Sequence, residues 1–155
     1  MSDAFIIDAV RTPRGIGKPG KGALSGMHPQ HIAATVLKAL QERNGLNTAD
    51  VDDVIWGTSA QKGGQGGDLG RMAALDAGFD IRVSGVTLDR FCGSGLTATN
   101  LAAAQIMSGM EDLLIAGGGL LAKGLQVANP DAGRGDEARW RAHGRSGRRR
   151  NVRHA

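Results

Sequence analysis

The sequence has one cysteine, no tyrosine, four prolines and only 3% aromatic residues. A single thiol excludes an internal disulfide framework. The opening Met1, Ser2, Asp3 and Ala4 has neither a basic flank nor a long apolar run, so a reducing cytoplasm is the expected setting. No stretch approaches the roughly 20 apolar residues that cross a bilayer. Even Leu113 to Leu121 is interrupted by three glycines. The shortage of large rings excludes a core built on aromatic stacking. The 25 glycines point instead to close-packed helices and strands with many turns.

What is present is enough for one core. A chain of 155 residues with 41% apolar content suits one domain, with a tail, better than two full domains. The net charge of +4 hides two regimes. Residues 1–130 carry 11 Lys+Arg against 12 Asp+Glu, a net −1, whereas residues 131–155 carry 8 against 3, a net +5. All the excess basic charge therefore lies in the last 25 residues, and all eight of those cations are Arg.

Hydrophobic periodicity divides the rest. Ala4 to Val10 is short, apolar and rich in β-branched residues, which predicts a buried strand opening a sheet. From Pro29 to Asn44, Ile32, Ala33, Val36, Leu37 and Leu40 recur at helical spacing, with Pro29 suited to the first turn and Gly45 to the stop. Val51 to Gly57 predicts a second strand, Leu69 to Ala77 a second helix stopped by Gly78, and Val83 to Leu88 a third strand. Gly95 to Ser108 is an Ala-rich helical segment closed by Gly109, and Leu113 to Ala116 a fourth strand. Alternating strands and helices predict an α/β class, layered α-β-α, with a largely parallel sheet. Such a sheet offers its reactive groups at the carboxyl ends of its strands.

Cys92 falls at one of these junctions, between the third strand and the Ala-rich helix. A thiol attacks carbonyl carbon as its thiolate, of which only a few per cent exists at neutral pH at the ordinary pKa of about 8.5. The beginning of a helix favours the anion through its amides and dipole, Gly93 and Gly95 permit close approach, and Arg90 adds positive potential. Position alone leaves the alternative of a small buried hydrophobe open.

Asp89, Arg90, Phe91, Cys92, Gly93, Ser94, Gly95 and Leu96 resemble the nucleophile segment of the thiolases, the acyl-CoA C-acyltransferases. Ala9 to Pro13 is similar to that family's opening strand and turn, Val51 to Gly57 to its second strand, and Ala102 to Gly118 to its helix and Gly-rich strand end. The resemblance implies a thiolase-like half domain over residues 1–122, with residues 123–155 a disordered or frameshifted tail. It implies acyl transfer between acyl-CoA thioesters, as 3-ketoacyl-CoA thiolysis or acetyl-CoA condensation in fatty-acid metabolism. Cys92 would be the acyl-accepting nucleophile, and its amide would form part of an oxyanion hole. It implies no tightly bound cofactor: coenzyme A thioesters are substrates. A homo-oligomer fits the resemblance, because the strand leading to the cysteine sits near the subunit interface in intact members.

The resemblance breaks at Gly117 to Gly124, where the family would continue with a Glu and a Met-Ser turn. The family's catalytic histidine, its second, acid/base cysteine and most coenzyme A contacts belong to parts this sequence does not show. The expectation is a truncated chain, impaired or inactive in the full reaction. A noncatalytic fragment that self-associates or binds an intact homologue is the alternative.

Other signals carry less. Gly63 to Gly67 lacks the ending of a phosphate-binding loop and reads as a turn, with Arg71 placed to pin it. His28 and His31 have no third donor at metal-ligand spacing, so no metal is assigned. Asp52 and Asp53 read as solvating the start of a strand, and Trp56 as packing beside it. The Arg-rich tail is the one feature that would suit nucleic acid, but only Trp140 in it could stack on a base, and a solvated tail is the simpler reading.

Overall fold

The computed structural model describes residues 3–15 and 20–119. The tail at 123–155 and the expected family Glu and Met-Ser position lie outside the described residues. Three helices and three strands follow in order: α1 Pro29–Asn44, β1 Asp53–Thr58, α2 Leu69–Asp76, β2 Ser84–Leu88, α3 Ser94–Ser108 and β3 Leu114–Gly119. The helix stops fall where the sequence predicts them. Gly45, Gly78 and Gly109 all take positive φ, a backbone region that suits glycine at a helix end. His28 caps α1 by accepting a hydrogen bond from the Gln30 amide, and Pro29 occupies the first turn.

The sheet is fully parallel in the order β2-β1-β3. The step from β1 to β2 goes one way, and the return from β2 to β3 passes back over β1 with its helix on the opposite face. That change of face is what two crossovers of one hand require. The result is three layers, with α1 and α2 on one side and α3 on the other. β1, Asp53–Thr58, is the central strand, and the carboxyl ends of β1 and β3 lie together where the winding reverses.

Strand alternation allocates the side chains. Val54 and Trp56 of β1 and Ile115 of β3 enter the core under α1 and α2 with Leu37, Ala73, Phe79 and Val83. Ile55 turns to the other side and meets Ala98 and Ala102 of α3. Asp52 fastens β3 to β1: its carboxylate accepts the amides of Asp112 at 2.8 Å and Leu113 at 2.9 Å. Those two bonds hold its pKa below the usual carboxylate value. Its neighbour Asp53 is pushed the other way, chiefly by burial. The pair therefore does more than solvate the strand.

Two expectations are corrected. Ala4 to Val10 is not a strand of the sheet: it joins no ladder among the described residues, and Phe5, Ile6 and Ile7 are 81%, 82% and 77% exposed. Its composition suits a strand, but a strand needs a neighbouring edge, and this segment lies instead against the end of α1, where Asp8 accepts from Arg43 and Asn44. Arg71 does not pin the Gly63 to Gly67 turn, which forms a short 3-10 helix at Gly63–Gln65. The Arg71 guanidinium donates to the carbonyls of Ile81 and Val83, securing the approach to β2, while its amide donates to Asp68. No helix among the described residues is long and apolar enough to cross a membrane.

Candidate active site

Cys92 stands in the five-residue turn, 89–93, that joins β2 to α3. It is exposed. The turn is built locally. The Asp89 carboxylate accepts the Phe91 amide at 2.8 Å, the Gly93 amide donates to the Arg90 carbonyl at 3.0 Å, and the Ser94 amide donates to the Phe91 carbonyl at 3.2 Å. Phe91 takes φ +48, a left-handed conformation costing a non-glycine residue about 1–2 kcal/mol. The bend turns the chain back sharply, and Cys92 follows it directly. The amides of Gly93 and Ser94 therefore close the turn. Arg90 contributes its backbone N–H and carbonyl to the same turn.

The helix beginning at Ser94 comes unusually near the sheet because glycines face it. A Cβ on Gly57 of β1 would lie 2.4 Å from the Ser94 carbonyl carbon, and one on Gly118 of β3 would lie 3.0 Å from the Gly95 Cα. A side chain at 57 would have to displace the helix start, and one at 118 would need its neighbour to give by a few tenths of an ångström. With the helix start seated this low, a cleft of about 350 Å³ opens above the carboxyl ends of β1 and β3. Its walls are Gly57 to Ser59, Gly117 to Gly119, Phe91, Cys92 and the first turns of α3 as far as Thr99. Gly95 lines the same cleft, so the close approach expected of it is directed at both backbone and cavity.

A polar chain runs beneath the turn. Ser94 is 3% exposed, and its hydroxyl oxygen accepts the Arg90 amide at 2.8 Å while lying 2.7 Å from the Phe91 carbonyl and 3.2 Å from the Thr58 carbonyl. The Thr58 hydroxyl donates in turn to Gln65 Oε1 at 2.8 Å, with both residues buried. Sequence reading placed Ser94 in the motif without a role and passed over Thr58 and Gln65. The bond between Ser94 and Thr58 spans 36 positions, and nothing local in the sequence announces it.

The remaining candidates are placed elsewhere. His28 serves as the cap of α1, and His31 pairs with Asp76 at 2.5 Å on an exposed surface. No group of three or more His, Cys, Asp or Glu side chains among the described residues is arranged to hold a metal ion. Trp56 lies against Gly117, where a Cβ would fall 2.7 Å from its ring.

Residues 4–121 match the family described as thiolase, N-terminal domain. Over 118 residues the chain is 46% identical to a steroid 3-ketoacyl-CoA thiolase of Mycobacterium tuberculosis, in an alignment covering 76% of this chain and 28% of that protein. It is 49% identical over 119 residues to a β-ketoadipyl-CoA thiolase of Escherichia coli, covering 76% and 29%. A 3-ketoacyl-CoA thiolase of Colwellia psychrerythraea is 38% identical over 119 residues, covering 76% and 30%. The chain spans less than a third of the length of these curated relatives. With a match over more than half its residues, on the α/β layers and cysteine turn described above, the chain belongs to the thiolase family.

Proposed function

We propose that Cys92 is the nucleophile of an acyl transfer, taking an acyl group from an acyl-CoA thioester into a thioester on its own sulfur. The observation that carries the reading is the placement of an exposed thiol at the rim of the cleft, on the turn between a parallel strand and a 15-residue helix. The thiolate adds to the thioester carbonyl, and the carbonyl oxygen takes the negative charge. Coenzyme A thiolate then departs as the carbonyl re-forms, which leaves the acyl-enzyme. Donors at the oxygen lower the barrier to both tetrahedral species, and the Cys92 amide is the first we assign to that task.

The second half-reaction, transfer of the acyl group to a carbon nucleophile or to free coenzyme A, draws on an acid/base cysteine in the family. We assign Cys92 the acyl-accepting step. Substrates are acyl-CoA thioesters, of the 3-ketoacyl or acetyl class, and no tightly held cofactor is needed. A reducing cytoplasm suits an exposed thiol. We take residues 1–122 as the unit that carries this chemistry and 123–155 as a separate tail.

A second reading is supported by the apolar side chains of Phe5, Ile6 and Ile7, which stand clear of the core. The chain then associates with a second copy or an intact relative. Sedimentation velocity resolves the species present.

The acyl-transfer reading is tested by incubating the chain with acetyl-CoA and measuring intact mass. The expected result is a gain of one acetyl group, absent in Cys92→Ser. An unmodified chain, under conditions that acylate an intact relative, would overturn the reading.

A further inference from the structure

We propose that Ser94 is a positioning residue for Cys92, acting as a clamp that holds the strained turn in the one shape that presents the thiol to the cleft. The proposal rests on the acyl-transfer reading for its chemical consequence, but its structural part stands separately.

The case begins with Phe91. Its left-handed backbone, φ +48, is a conformation that the side chain disfavours, and Phe91 itself is 78% exposed and so has little packing to hold it there. Something else must fix the turn. The Asp89 carboxylate holds the Phe91 amide from the solvent side. From below, the Ser94 hydroxyl receives the Arg90 amide and offers its one proton to the Phe91 carbonyl or the Thr58 carbonyl. One buried oxygen thus holds the Arg90 amide and sits within hydrogen-bond distance of both the Phe91 carbonyl and the last residue of β1, which share its one proton.

The anchor is rigid. Thr58 is 1% exposed, its hydroxyl is held by buried Gln65, and its strand is paired on both sides up to Gly57. Ser94 also cannot retreat, because Gly57 lets its backbone sit directly on the sheet. The serine thereby transmits the position of the central strand to the two residues that aim the nucleophile. With alanine at 94, the Arg90 amide and the Phe91 carbonyl lose a shared buried partner, which leaves the Asp89 carboxylate and the backbone bonds of residues 93 and 94 to hold the left-handed turn.

The test compares the chain as it stands with Ser94→Ala and Ser94→Thr, using two independent readouts. Amide hydrogen exchange reports the turn without any chemistry at the thiol. The expected result for Ser94→Ala is exchange about tenfold faster for the 89–94 segment, the scale set by leaving one buried partner unmade, with α1 and β1 unchanged. The second readout is a pair of rates at Cys92, acylation by acetyl-CoA and alkylation by iodoacetamide. A displaced but exposed thiol should lose about tenfold or more in acylation, which demands alignment with the cleft, while alkylation stays as it was. Ser94→Thr, which keeps the hydroxyl, should restore both.

Unchanged exchange in the 89–94 segment would overturn the proposal. So would loss of protection throughout α1 and β1, which would make Ser94 a general folding residue, and so would a parallel fall in acylation and alkylation. If the unsubstituted chain takes no acyl group, the acyl-transfer reading fails, and the exchange measurement still decides whether Ser94 holds the turn.

Discussion

The two faces of the sheet differ in how much apolar volume they bury, although glycine brings a helix close on both: on the α2 side a Cβ on Gly85 would lie 2.5 Å from the Arg71 Cα. Under α1 and α2 the core is deep, with Leu37, Val54, Trp56, Phe79 and Val83 closely packed and Leu37 and Val54 wholly inaccessible. Under α3 the buried set is Ile55, Ala98 and Ala102, and glycines replace side chains where the helix meets the strands. Large residues on that side, Phe91, Leu96 and Leu101, face outward. The difference separates two tasks. One face supplies the apolar burial that holds the sheet together. The other gives up volume so that a helix start, a turn and a thiol can approach the strand ends.

Substitutions can break this contrast. The largest effect on stability is expected for Leu37→Ala, about 2–5 kcal/mol in urea unfolding followed by circular dichroism, because the site is fully enclosed. Leu101→Ala on the α3 side, 47% exposed, should stay within about 0.5 kcal/mol. Equal losses at the two positions would erase the distinction between the faces.

Gly57→Ala comes next. Its new methyl must displace the Ser94 backbone, for an overpacking cost of about 1–3 kcal/mol. Unlike Leu37→Ala, it should also slow acetyl-CoA acylation of Cys92 in chains that remain folded, since it lifts the helix start away from the strand ends. A folded Gly57→Ala chain with an unaltered acylation rate would show that the close approach has no part in the chemistry.

The smallest effect concerns the two adjacent carboxylates at the other end of β1. The Asp52 pKa is lowered in the folded chain by the Leu113 and Asp112 amides, so its contribution to stability is present above the unfolded carboxylate value and is lost as pH falls through the folded one. The Asp53 pKa is raised, chiefly by burial, so its contribution is present below the unfolded value and lost as pH rises through the folded one. Asp52→Asn should therefore flatten the acid side of the stability profile, and Asp53→Asn should raise stability at neutral pH. Urea midpoints collected from acid to neutral pH check both signs.

These effects also mark what could be read from the residues in order. All three helices were legible because their signals are local: apolar spacing along α1, Pro29 at its start, and Gly45, Gly78 and Gly109 at the stops. Cys92 was legible through the residues on either side of it. Ala4 to Val10 misled because apolar, β-branched composition states a preference for pairing and is silent about the partner. Arg71 misled because the guanidinium reaches the carbonyls of Ile81 and Val83, well beyond the turn next to it. Asp52 and the Ser94 clamp depend on bonds across about 60 and 36 positions, which arise only when β1 is central and its neighbours are in place. The place of the thiol between a strand and a helix was therefore visible in the chain, and the bonds that support its turn were not.

The central claim is that the fold, and not exposure of a thiol, makes Cys92 an acyl acceptor. The most direct measurement is the rate of Cys92 acylation by acetyl-CoA in the folded chain and in the same chain unfolded in urea, with iodoacetamide alkylation measured in parallel to correct for thiol reactivity. The account predicts faster acylation in the folded chain after that correction. Equal corrected rates in the two states would contradict it.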